Sequence, residues 1–210
     1  QDKNLCNAFK SGIDVHKDTA RIIFDVSQEE VSPEMRRIAK TINFGVMYGM
    51  SAFRLAKDLK ITRTKAQEFI NQYFQTYSGV RNFIDKTIKE CEETSYVQTI
   101  MGRRRYIPNI NSKNKTEKAG AERIAINTPI QGSAADIVKQ AMIQVSQSLE
   151  KKYPNAKLLL QVHDELICEC DQKDQESICT LIKEIMENVV QLSIPLKVSV
   201  ESGRRWGEFH

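Results

Sequence analysis

The chain has 210 residues, 40% of them apolar and 28% charged, a composition of one folded domain or two small ones and too apolar for a disordered chain. It contains no run of about 18 apolar residues, which excludes a predicted membrane-spanning helix. A formal charge of +4 is too mild to indicate an acidic partner by itself, and five cysteines without a C-x-x-C pair argue for reduced thiols rather than a disulfide framework.

Gln1-Asp2-Lys3 has neither an initiator Met nor a leader pattern, so Gln1 is expected to be an internal cut in a longer protein. The first half reads as successive short helices. Ser32-Pro33-Glu34 is a strong start signal: a capping hydroxyl, a proline suited to the first turn, and an acid at the positive end of the dipole. The helix it opens is predicted to run to about Tyr48 and stop at Gly49. Ser51 and Thr62 are expected caps of the next two helices, the first with Phe53, Leu55, Ala56 and Leu59 apolar. In the second, Ala66, Phe69, Ile70, Tyr73 and Phe74 recur at helical spacing. A further helix covers Val80 to about Thr94, with Phe83, Ile84, Thr87, Ile88 and Cys91 inward.

Residues 96–100 and 103–107 form a predicted hairpin ahead of Pro108. The polar stretch 109–118 is expected to be a mobile loop and the domain boundary, dividing residues 1–112 from 113–210. Two helices follow, about 118–128 and 133–152, with Pro129 and Gly132 marking the joint. The second carries Ala134, Ile137, Val138, Ala141, Met142 and Val145 on one face. The last third changes character. Residues 157–163 and 166–170 are β-like runs joined at Asp164-Glu165 as a tight hairpin; a helix over about 173–190 and a last strand at 196–200 complete an α+β unit. The fold class is therefore α+β, helical first and sheet-containing afterwards.

Three constellations could carry chemistry. Arg36, Lys40, Phe44 and Tyr48 are spaced by four, so each step advances about 6 Å and drifts about 40° around the helix. One stripe then presents two cations followed by two rings, the order a nucleoside triphosphate needs. An amphipathic helix with solvated cations and core aromatics would show the same spacing. Gly45 and Gly49 would let another surface approach closely. His163-Asp164-Glu165, at the hairpin tip, offers adjacent carboxylates suited to Mg²⁺, which takes one or two protein carboxylates, although Asp is also an ordinary turn residue. Arg123, Asn127 and Gln131, again spaced by four, could hydrogen-bond base edges or sugars, or serve as a helix cap and a surface arginine. Around them Arg103, Arg104, Arg105, Lys113, Lys115, Lys118 and Arg123 face only Glu117 and Glu122, the electrostatic footprint of a phosphate backbone or a solvated face. Three histidines (His16, His163, His210) are too few for a structural zinc site. P-loop, Rossmann and nucleophile-elbow patterns are absent.

In order along nearly the whole chain, these segments resemble the family A DNA polymerases. Arg36 to Gly49 matches the family's nucleotide-binding pattern R-x-x-x-K-x-x-x-F-G-x-x-Y-G, and Val162-His163-Asp164-Glu165 its second catalytic-carboxylate motif. Asp14-Val15-His16, Gly102-Arg103-Arg104-Arg105-Tyr106 and Asn127-Thr128-Pro129-Ile130-Gln131-Gly132 fit as well. The resemblance implies a helical fingers subdomain followed by the C-terminal part of an antiparallel-sheet palm. It implies that His16, Arg36 and Lys40 hold the triphosphate, that Lys40 can protonate departing pyrophosphate, and that Phe44 packs on the incoming sugar and base. Tyr48 takes the template-stacking position. Asp164 would ligate two Mg²⁺ ions with support from Glu165; His163 would place the primer terminus, and Arg105, Arg123, Asn127 and Gln131 would bind DNA. The reaction implied is addition of dNTPs to a primer 3′-hydroxyl on a DNA template, in replication and repair, by a monomeric enzyme of the bacterial nucleoid or an organellar matrix, with no membrane partner.

One departure is important. The family's other catalytic aspartate belongs to a segment expected just before Gln1, so the 210-residue chain alone is expected to be inactive. Two other readings stand beside this one. A single-subunit phage-type RNA polymerase shares the Arg/Lys/Tyr helix but usually ends the carboxylate triplet in Ser, where this chain has Glu165. A noncatalytic nucleic-acid-binding module would need only the basic patch.

Overall fold

A computed structural model describes residues 2–208; the inferred cut at Gln1, and His210, lie outside them. The fold is α+β and mostly helical, with two small antiparallel sheets. The chain divides into two compact units, one ending at Gly132 and the other beginning at Ser133, inside a helix.

The first unit is built from α1 (Lys3–Lys10), α2 (Val15–Phe24), α3 (Pro33–Met47), α4 (Ala52–Leu59), α5 (Arg63–Thr76) and α6 (Ser78–Thr94). The expected starts are present: the Ser32, Ser51 and Thr62 side chains accept the N–H groups of Met35, Arg54 and Lys65, and Pro33 occupies the first turn of α3. Each cap satisfies one of the N–H groups that a helix start leaves orphaned. The core gathers Ile42, Val46, Leu55, Phe69, Tyr73, Tyr77 and Ile84, each burial contributing roughly 1.5–3 kcal/mol if complete. Two rings expected among the apolar faces turn outward: Phe53 is 68% exposed, and Phe83 is exposed on α6, whose buried face is Val80, Ile84, Thr87 and Cys91. Apolar type gave no discrimination there, because neighbouring residues at helical spacing already complete each buried stripe.

Next come β1 (Tyr96–Gln98) and β2 (Arg104–Tyr106), paired Tyr96 to Tyr106 and Gln98 to Arg104, then a 3-10 turn over Pro108–Asn111. The polar stretch expected to be mobile is tied down by its own side chains. Asn111 donates to the Glu92 carbonyl, Ser112 to Glu117, and Thr116 N–H to Asn114. The two helices expected after it are one, α7 (Lys115–Lys152), with Pro129 inside. Proline costs the helix the N–H that would meet Ala125 and crowds that carbonyl, yet the helix continues. Gly132 does not break it either. Its bare face is where the hairpin closes in, since a Cβ there would lie 2.8 Å from Thr99 Cγ2.

The second unit contains the C-terminal part of α7, β3 (Lys157–Val162), β4 (Glu165–Glu169) and α8 (Gln175–Asn188). Its core is Val145, Leu149, Ala156 and Ile178, with Leu166 and Cys168 of β4, Cys170 just after it, and Leu181, Ile182 and Ile185 of α8 packed against it. Ala134, expected on the inner face of its helix, is exposed. Val162 pairs directly with Glu165, so the turn is His163-Asp164 and Glu165 opens β4, one residue earlier than the expected joint. The expected strand at 196–200 does not form. Leu196 and Val198 are half-buried and alternate with exposed residues, but Val198 N–H donates to the Glu187 carboxylate, 2.9 Å, and no ladder is made. Alternation specifies a face; a strand also needs a neighbour. All five cysteines are free thiols, as expected. No described helix is long and apolar enough to cross a membrane.

Candidate functional site

Helix α3 sets the first group of side chains. Arg36, Lys40 and Phe44 are exposed and Tyr48 is half-buried; Phe44 keeps 47% of its surface in contact with solvent. The alternative of core aromatics is thereby removed for Phe44. Phe44 and Tyr48 stack, ring centres 6.4 Å apart at 25°, and His16 on α2 approaches Phe44 to 5.6 Å. Gly49, at φ +73, ends the stripe; a Cβ there would meet Arg123 Cγ and Ile126 Cδ1 at 3.3 Å. The close approach expected of the ladder's glycines is made here by the stem of Arg123.

Asp14 organises the base of the ladder, a role the sequence did not assign. One carboxylate oxygen accepts the N–H groups of His16 and Lys17 at 2.9 and 3.1 Å, capping α2. The other accepts from Arg36 Nε at 2.7 Å. Partial burial would raise the Asp14 carboxyl, but the Arg36 hydrogen bond, the two capping N–H groups and the guanidinium charge hold it below the usual carboxylate range. His16 is pushed below its ordinary value, first by burial and then by the charges of Arg36 and Lys40, against the opposing pull of Asp14. Its imidazole is consequently neutral near pH 7. Lys40 has no carboxylate within ion-pair distance among the described residues.

The second group lies where β1, β2 and α7 meet within the first unit. Thr99, Arg103, Arg104, Arg105, Asn127, Thr128, Gln131 and Gly132 line an open groove of about 260 Å³. Three residues expected to bind DNA, Arg105, Asn127 and Gln131, are brought together here; Arg123 does not line the groove and packs against Gly49 instead. The arginines are held in place: Arg103 donates to the Gly132 carbonyl at 3.1 Å, Arg105 to Thr128 Oγ1 at 3.3 Å, and Arg104 sits 4.7 Å from the Tyr96 ring centre. Asn127 Oδ1 is buried without a hydrogen-bond partner. Charge clustering pointed to Arg103 and Arg104, but nothing in the sequence singled out Thr99 or Thr128. Lys118, counted in the basic patch, is engaged by Glu92 at 2.7 Å.

The third group is the hairpin tip of the second unit. His163, Asp164 and Glu165 are all exposed. His163 adopts a left-handed φ of 53°, and its carbonyl accepts from the Gln161 side chain. Asp164 makes no hydrogen bond or ion pair among the described residues. Adjacent carboxylates, Asp164 in the turn and Glu165 at the start of β4, fit the donor preference of Mg²⁺; no group of three or more potential ligands gathers among the described residues.

The whole of this architecture has close counterparts. DNA polymerase family A matches residues 1–208. DNA polymerase I of Treponema pallidum (strain Nichols) is 53% identical over 210 residues, all of this chain and 21% of that protein. The thermostable DNA polymerase I of Thermus aquaticus is 47% identical over 205 residues, 98% of this chain and 24% of that protein. The chain thus spans between a fifth and a quarter of the length of these relatives. Among solved structures, the POL domain of Pol1 from M. smegmatis, in complex with DNA primer-template and dNTP, superimposes with a TM-score of 0.93 at 42% identity, covering 98% of this chain and 36% of that one. A match over the full described length, with the ladder, groove and hairpin motifs all inside it, leaves one conclusion: the chain belongs to DNA polymerase family A.

Proposed function

We propose that this chain is the fingers and C-terminal palm portion, divided near residues 112 and 113, of a DNA-directed DNA polymerase that adds dNTPs to a primer 3′-hydroxyl. The observation that carries the reading is the α3 stripe. Two cations, an exposed ring and a half-buried ring stacked on it lie in sequence on one helix, with His16 against the exposed ring.

Arg36 and Lys40 supply positive charge for a triphosphate, and His16 a neutral donor. Phe44 offers a flat apolar face to the sugar and base, and Tyr48 a second ring for the template stack. Lys40, without a carboxylate partner, is the group available to protonate departing pyrophosphate. Arg105, Arg123, Asn127 and Gln131 combine charge with amide donors and acceptors suited to a duplex backbone and its minor groove. His163 sits beside the primer end. Asp164, supported by Glu165, would hold Mg²⁺, which when bound as a pair neutralises phosphate charge and lowers the pKa of the attacking hydroxyl. The M. smegmatis relative, solved with primer-template and dNTP bound, supports these partners. The bacterial sources of the relatives support a cytoplasmic setting.

The test is primer extension by a chain lengthened at its N-terminus to include the family's other catalytic-aspartate segment. Template-directed dNTP incorporation, with ribonucleotides strongly disfavoured, is expected; the 210-residue chain alone gives none. A lengthened chain that binds duplex yet never extends a primer would mark a binding module instead, and a preference for ribonucleotides would mark an RNA polymerase.

A further inference from the structure

Beneath the ladder lies a buried polar chain. Asn43, on the inner face of α3, is 4% exposed, and Thr19 on α2 is 1% exposed. Asn43 Nδ2 lies 2.9 Å from His16 Nδ1. Asn43 Oδ1 accepts from the Thr19 hydroxyl at 3.1 Å, and the same hydroxyl reaches the Val15 carbonyl at 2.8 Å. The Tyr77 hydroxyl, fully buried, stands 3.2 Å from Thr19 Oγ1. A hydroxyl has one proton. Thr19 shares its one proton between the Val15 carbonyl at 2.8 Å and Asn43 Oδ1 at 3.1 Å, which leaves Tyr77 as the donor to Thr19; with Oδ1 of Asn43 on Thr19, its Nδ2 is the group that donates to His16 Nδ1.

An amide N–H can be received only by a ring nitrogen that carries no proton. We propose that Asn43 is a positioning residue that fixes His16 as the neutral tautomer with Nδ1 accepting and Nε2–H as its one free donor. Such a donor adds a hydrogen bond to an anion without adding a charge, which keeps its contribution constant across neutral pH. The charged groups around the ring are Asp14 at the start of its own helix and Arg36 and Lys40 from α3. Asn43, being neutral, leaves the balance among those three intact while choosing which nitrogen bears the proton. In the sequence this asparagine sits between Ile42 and Phe44 and reads as helix filler. Its burial, and a partner 27 residues away, give it a role.

The proposal rests on the polymerase reading only for the ligand; the tautomer can be measured without it. In the 210-residue chain, which has three histidines, long-range ¹⁵N–¹H spectra should show His16 as the Nε2–H form. Asn43→Asp keeps the shape and the acceptor for Thr19 but offers a carboxylate to the ring. It should move the proton to Nδ1 and raise the pH at which His16 titrates by about 1 to 3. Thr19→Val, which frees the amide to rotate, should give a mixture of both tautomers. An Nδ1–H form in the unmodified chain, or a tautomer and titration unmoved by Asn43→Asp, overturns the proposal, and the first of these needs no variant to fold. In the lengthened enzyme, Asn43→Asp should weaken dATP binding about tenfold at pH 8 and make it pH-dependent between 6 and 8. A switched tautomer with unchanged dATP binding would leave Asn43 as the positioning residue and sink instead the assignment of His16 to the triphosphate.

Discussion

The ladder on α3 and the acidic hairpin tip hold their charges in opposite ways. Around α3 three of the functional side chains are braced by others: Arg36 by Asp14, His16 of α2 by Asn43, and Phe44 by His16 and Tyr48. At the hairpin, a two-residue turn with His163 at φ 53° places Asp164, which has no protein partner among the described residues. A group that must recognise a large organic anion gains from preset side-chain orientation. A carboxylate meant for a hard cation gains from staying uncommitted, since every protein donor it accepts competes with the metal.

If that contrast is right, mutations should hurt through different quantities in the two places. The largest effect belongs to the hairpin. Asp164→Asn in the lengthened enzyme should lower single-turnover incorporation at least about a thousandfold, near 4 kcal/mol, with duplex affinity and thermal midpoint nearly unchanged. On the ladder, Lys40→Ala should cost about 1.5–3 kcal/mol, read as a ten- to hundredfold loss in dNTP affinity or incorporation rate. Unchanged transient kinetics would remove Lys40 from the ladder's function. In the groove, Arg105→Ala should reduce the slope of log duplex affinity against log salt by about 1; an unaltered slope would mean that Arg105 serves only Thr128.

Smaller changes test the support itself. Gly49→Ala must force a side chain into a left-handed backbone against Arg123 and Ile126, and should cost about 1–2 kcal/mol in urea unfolding. The weakest signal is in pH. His16 titrates below its ordinary 6.5, so near pH 6 the unfolded chain binds more protons there than the folded one. Stability from this source is complete above about 6.5 and falls as pH drops through the folded value. His16→Gln should flatten that part of the melting-temperature profile. A profile that steepens toward alkaline pH instead would contradict the sign.

Much of this was legible along the chain, and the rest was not for identifiable reasons. Ser32-Pro33 fixed where α3 starts, and spacing by four put Arg36, Lys40, Phe44 and Tyr48 on one stripe, because both signals are local and periodic. Asp14 and Asn43 act across 22 and 27 residues, and no periodicity reports that. Pro129 and Gly132 read as a joint because their local cost is real; the helix continues through them, with Gly132 serving as a seat for Thr99. At residues 196–200 Leu196 and Val198 turn partly inward while Val200 stays exposed, and the ladder that would make the expected strand is not formed. The hairpin tip was located within one residue, since a two-residue turn between β-like runs leaves little freedom.

The Arg36–Asp14 pair has a consequence of its own. Arg36 is engaged through Nε alone, at 2.7 Å, so an anion arriving on the ladder meets a guanidinium that Asp14 has already oriented and whose terminal NH₂ groups are left to donate. Asp14 can give Arg36 up without unravelling α2, because the oxygen that caps the helix is not the one that holds the arginine. A ligand that can reach those terminal groups in the orientation Asp14 sets gains their hydrogen bonds without displacing the carboxylate, whereas a poorly placed anion gains few of them.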